Sequence, residues 1–164
     1  MLRKIIAIFA VLFATMTVTS CSAPTAAPTH SPTQHTGIII EDAWVRASEY
    51  SAKAGGMTGV FAKITNRGDK TITLIGGTTD AAKMVQTHEV VDGTMQEKKG
   101  GIEIHVGQTV TLQPGGLHIM LMNLTSPIVV GDKIDFTFKF DKADPQTFTL
   151  TAKESAGGDE TYNK

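Results

Sequence analysis

Ile134-Asp135-Phe136-Thr137-Phe138-Lys139-Phe140 is the stretch that sets the fold class. Side chains alternate faces along a strand, so Ile134, Phe136, Phe138 and Phe140 share one apolar face, with polar residues opposite. Thr147 to Lys153 repeats the alternation, with Phe148, Leu150 and Ala152 opposite the threonines. Working outward, strands are expected near 38–47, 58–65, 70–76, 83–91, 102–105, 108–112, 117–124, 132–140 and 146–152. Turn residues separate them: Asn66-Arg67-Gly68-Asp69, Gly76-Gly77, Asp92-Gly93, Gly100-Gly101, Pro114-Gly115-Gly116 and Gly131-Asp132. Asp92-Gly93 is a hairpin signal. No long window carries a 3.6-residue period, so the expectation is an all-β sandwich or barrel.

The 164 residues include a segment unlike the rest. Arg3 and Lys4 precede an apolar run from Ile5 to Met16, too short to span a bilayer as a mature helix. Residues 1–20 therefore read as a lipoprotein signal peptide. Val18-Thr19-Ser20-Cys21 resembles the bacterial lipobox, which implies cleavage before Cys21 and lipidation of its sulfur. The mature chain is then expected to be extracytoplasmic, anchored to the outer face of the cell membrane through Cys21. Residues 21–37 read as the lipidated cysteine and a flexible Ser/Thr/Pro linker, 38–153 as the folded domain, and 154–164 as a polar tail. His30 and His35 lie in the linker. They read as solvated tether residues, with metal scavenging as the alternative.

Net charge is −1, from 15 Lys and Arg against 16 Asp and Glu. No basic excess exists to neutralise phosphates, so no nucleic-acid partner is expected. Cys21 is the single cysteine, which excludes an intramolecular disulfide, all-thiolate zinc sites and iron–sulfur cages, and with its sulfur lipidated the mature domain lacks the thiolate that a blue-copper centre needs. No Ser/His/Asp order, paired catalytic carboxylates or phosphate loop points to an enzyme.

The chemistry concentrates in Gly116 to Leu124, GLHIMLMNL. On a strand His118, Met120 and Met122 share one face, while Leu117, Ile119 and Leu121 share the other. Met84, Gln86 and His88 likewise share a face, and the Asp92-Gly93 hairpin carries Met95 back toward His88. Thioethers are soft, neutral donors that suit Cu(I) and serve Zn(II), Mg(II) or Ca(II) poorly. Imidazole suits copper in either state. Met also fills core gaps routinely, so spacing alone leaves packing open beside a copper site.

His88-Glu89, Asp92-Gly93, Gly101-Ile102-Glu103-Ile104 and Gly107 through Met122, with PGGLHIMLM at its end, resemble the core block of the PCu(A)C periplasmic copper chaperones. Ala43-Trp44-Val45-Arg46 and Val60 to Asn66 resemble that family's first strands, and the likeness extends over roughly 38–152. The resemblance implies a cupredoxin-like Greek-key β-sandwich. It also implies a Cu(I) site of His88, Met95, His118 and Met120, and a role in handing copper to the CuA centre of cytochrome c oxidase or to another copper-trafficking protein.

The family motif places ten residues between its first His and Met, then twenty-one before His-x-Met. Here six residues separate His88 from Met95, and twenty-two separate Met95 from His118. A shortened hairpin with one extra residue near Gly100-Gly101 accommodates Met95. Met122 is read as either beside the metal or in the core, Met57 and Met84 as packing, and His105 as a surface or strand-end residue. A copper-buffering or resistance lipoprotein and a metal-free envelope β-sandwich stand as alternative functions.

Overall fold

The computed structural model describes residues 37–49 and 55–154, and these form ten strands without a helix. The leader over 1–20, Cys21, the linker through residue 36 and the tail from residue 155 lie outside the described residues. The strands are β1 (Ile38–Arg46), β2 (Met57–Asn66), β3 (Ile72–Thr78), β4 (Ala82–Val91) and β5 (Thr94–Glu97). They continue with β6 (Ile102–Ile104), β7 (Thr109–Leu112), β8 (His118–Leu124), β9 (Lys133–Asp141) and β10 (Gln146–Lys153).

Hydrogen bonding runs in the order β5-β4-β8-β2-β1-β10-β9-β3-β6, with β7 also paired to β2. β2 is long enough to serve two partners. Met57–Val60 pair with β8, and Ala62–Thr65 pair with β7. The β1–β10 pair is parallel, joining the two halves of the chain, and the other strand pairs are antiparallel. The strands enclose one apolar cluster, the core of an all-β sandwich.

β9 supplies the aromatic centre of that core. Phe136, Phe138 and Phe140 are buried while Asp135 and Lys139 are exposed, which is the period-2 pattern read from the sequence. Phe136 and Phe138 meet edge to face at 4.8 Å, and Phe138 meets Phe148 of β10 at 6.0 Å. Gly77 of β3 makes room for them: a Cβ there would sit 2.2 Å from the Phe136 ring.

β5 falls outside the strands that the sequence pattern predicts. Its four residues, Thr-Met-Gln-Glu, carry one apolar side chain and no β-branched run, so it forms as the return arm of a hairpin. The turn is the one read from sequence. Asp92 and Gly93 both adopt positive φ, 51° and 75°, as a type I′ hairpin requires.

Candidate metal centre

Antiparallel register assembles the site. β4 pairs with β8 so that His88 faces His118, Gln86 faces Met120 and Met84 faces Met122. Directly opposed residues project from the same side of a sheet. The intervening Ile119 and Leu121 are fully buried in the core, so His118, Met120 and Met122 lie on the opposite face. β2 extends that face, with Gly59 opposite Met120 and Met57 opposite Met122.

The two imidazoles are close and complementary. Their ring centroids are 5.7 Å apart at an interplanar angle of 48°. An ion about 2 Å from one nitrogen of each ring holds the two centroids within roughly 6 Å, so the pair fits one shared ion. His118 Nδ1 lies 2.8 Å from the Gly116 carbonyl oxygen. A carbonyl only accepts, so Nδ1 carries the proton and Nε2 the lone pair. His88 Nε2 lies 3.2 Å from Gln86 Oε1, which likewise leaves the lone pair on Nδ1. That Nδ1 is buried and has no hydrogen-bond partner among the described residues. Leaving a buried acceptor unsatisfied costs about 1–3 kcal/mol. Holding the ring by its other nitrogen is how metal-binding histidines are oriented.

Burial pushes the His88 imidazole below its ordinary pKa, and neighbouring His118 pushes the same way, against a smaller pull from Glu97. Neutral imidazole is the form that binds metal. Among the described residues no three His, Cys, Asp or Glu side chains group as a metal cage. Met120, 1% exposed, sits one pair along β8 from the histidines.

Aromatic rings wall the site on the β2 side. Phe61 is 6.4 Å from His118 and 4.6 Å from Trp44, and the Arg46 guanidinium lies 5.5 Å from the Phe61 ring. Phe61 lies over Gly59, where a Cβ would stand 2.6 Å from the ring. The absent side chain lets the ring lie flat beside Met120's strand.

The expected residues are not all brought together. His88, His118 and Met120 are neighbours by register. Met95 lies on β5 opposite Val90, half-buried, diagonal to His88 and with β4 between it and His118. Glu97, not Met95, stands straight across from His88. Met122 is half-buried one pair beyond Met120. His105 follows the end of β6, exposed, with Nδ1 3.3 Å from Thr71 Oγ1 and 3.8 Å from Glu103.

Packing is the wrong role for Met57 and Met84. They are 37% and 45% exposed, because their strands turn these positions away from the core. The alternation of β4 implied this for Met84. Met57 meets Met122 only through the β2–β8 pairing, which no local pattern encodes. Gln86, which holds the His88 ring, was legible only as a member of the β4 strand face.

Comparison with known proteins places this architecture. Residues 38–152 match the family described as Putative lipoprotein LpqE-like. Putative lipoprotein Lxx21020 of Leifsonia xyli subsp. xyli is 38% identical over 133 residues, covering 79% of this chain and 77% of that protein. The copper-bound PCuAC domain from PmoF2 matches with a TM-score of 0.61 at 24% identity, over 73% of this chain and 94% of that one. The solution structure of the Cu(I) form of DR1885 from Deinococcus radiodurans matches with a TM-score of 0.53 at 24% identity, over 74% and 81%. The likeness to the solved structures is one of fold, and it agrees with the PCu(A)C-type β-sandwich expected from sequence.

Proposed function

This chain belongs to the LpqE-like family of putative lipoproteins, and we propose that it is an extracytoplasmic, lipid-anchored Cu(I) metallochaperone. The observation that carries this is the facing pair His88 and His118, with Met120 beside it on the sheet face away from the core. The cargo ion is held by His88 Nδ1, His118 Nε2 and the Met120 thioether. Met95 is the proposed fourth donor, and a shift of the β4–β5 hairpin brings it to the ion. These donors are neutral and lack thiolate, which favours the soft monovalent ion over Zn(II).

The arrangement suits carriage. Gln86 and the Gly116 carbonyl pre-orient the rings, so loading needs little reorganisation. Thioethers bind without proton loss and can be exchanged for a recipient's ligands one at a time. The proposed recipient is the apo CuA domain of cytochrome c oxidase. Cys21 is the proposed lipid attachment, which keeps the carrier at the membrane surface where that recipient resides.

Anaerobic Cu(I) titration against a chromogenic chelator tests binding. A tight one-to-one complex weakened in His88→Ala, His118→Ala and Met120→Ala supports the proposal, and failure to compete with the chelator refutes it. Unchanged affinity in Met95→Ala removes Met95 from the donor set. Incubating the loaded protein with an apo CuA domain tests delivery; copper that stays put points to a buffer. Cys21→Ser is expected to release the protein from membranes.

A further inference from the structure

All five methionines among the described residues, Met57, Met84, Met95, Met120 and Met122, lie outside the apolar core cluster. Four of them are tied by register to one sheet face. Met84 faces Met122 across β4–β8, and Met57 faces Met122 across β2–β8. Three neighbouring strands therefore carry a straight row, Met84-Met122-Met57, with Met122 in the middle. The flanking members are 45% and 37% exposed, and Met122 is half-buried. None of the three is fully buried, so core packing alone does not account for three thioethers side by side.

From this row we infer a second soft-metal site, in which the thioethers of Met57, Met84 and Met122 bind one monovalent Cu(I) or Ag(I) ion. Opposed side chains across a strand pair start about 5 Å apart at Cβ, and Met has three rotatable bonds with which to converge on a point above Met122. Three neutral sulfurs suit a soft monovalent cation and discriminate against Zn(II), Mg(II) and Ca(II). Binding forms three dative bonds and displaces water, with no change of oxidation state or proton count. Asn123 adopts a positive φ of 54°, and beyond it Leu124 returns to the core, so the row stands at the end of the outward-facing run of β8.

The row stands apart from the histidines. Two residues along a strand span about 7 Å, so it lies about 7 Å from the level of Met120 and about 13 Å from the level of the histidines. Met120 stands between the two places. The row is an exposed station from which an ion can enter or leave the buried pair, and its occupancy does not require His88 or His118. The choice of copper as the natural ion rests on the proposed function; the site itself rests only on the row.

The mature chain with 13C-labelled methionine methyl groups, titrated with Ag(I) as an air-stable probe and then anaerobically with Cu(I), tests this. Native mass spectrometry reads stoichiometry while NMR reads each methyl. Two ions per chain are expected, with the Met57, Met84 and Met122 methyls shifting together at the second equivalent. Met57→Leu/Met84→Leu/Met122→Leu should lose the second ion and keep the first, while His88→Ala/His118→Ala should keep an ion on the row. Should the triple variant misfold, Met84→Leu alone, at the most exposed member, should weaken the second equivalent and leave the first unchanged. Two full equivalents in the leucine variants, or static methyls on the row, overturn the inference. An ion on the row with none at the histidines supports it while refuting the histidine site.

Discussion

Gly59→Ala drives a methyl group into the ring beside the proposed copper site. The new Cβ would stand 2.6 Å from Phe61 Cζ and 3.2 Å from both Cε atoms. Carbon atoms in contact prefer about 3.5–4.0 Å, so the ring must retreat by about 1 Å. Phe61 has little room to retreat, being 2% exposed and 4.6 Å from Trp44. Overpacking of this kind costs about 1–3 kcal/mol. For a domain of this size that lowers Tm by roughly 5–15 °C. The displaced ring also disturbs His118, 6.4 Å away, so Cu(I) affinity should fall with stability. The decisive assay is a double-mutant cycle by thermal denaturation with Phe61→Leu, whose shorter side chain vacates the clash. Gly59→Ala should cost less in the Phe61→Leu background, by about 1 kcal/mol or more. Strict additivity, or an unchanged Tm in Gly59→Ala, would refute the reasoning.

Removing the amide that holds His88, in Gln86→Leu, should weaken Cu(I) binding about 10–100-fold in chelator competition while both imidazoles remain. His88 is held below its ordinary value of 6.5, chiefly by burial, so the unfolded chain takes up this proton before the folded one does. Stability of the metal-free protein should therefore hold above that value and fall as pH drops through and below it. Cu(I) affinity should likewise persist into mildly acidic solution before protons compete; an affinity loss beginning above neutrality would contradict this. Asn66 is fully buried, donating to the Lys70 and Ile104 carbonyls and accepting from the Gly68 amide. Asn66→Ala should cost about 2–4 kcal/mol in denaturant unfolding and leave copper binding intact in whatever fraction stays folded.

Much of the fold was legible because its signals are local. Alternation in Ile134–Phe140 and Thr147–Lys153 depends on side-chain direction along one strand, and burial in β9 and β10 follows it. The Asp92-Gly93 turn was legible because positive φ at two successive positions favours those residue types. β5 was not, since four mostly polar residues become a strand only by pairing with β4. The site divides the same way. His118, Met120 and Met122 share a face by alternation alone, as do Met84, Gln86 and His88. That the two faces meet, His88 against His118, is a long-range register that strand order decides. The β4–β5 register is a separate, local one: the two-residue Asp92-Gly93 turn sets Glu97 opposite His88 and Met95 diagonal to it. The sequence alone does not separate a packed from an exposed Met57 or Met84, because methionine fits both until burial is known.

The most direct measurement of the central proposal is X-ray absorption spectroscopy of the mature protein loaded anaerobically with one equivalent of Cu(I). Two imidazole nitrogens, recognisable by scattering from the outer ring atoms, together with thioether sulfur are predicted in the first coordination sphere. A shell of sulfur alone, or one without imidazole scattering, would contradict a site built on His88 and His118.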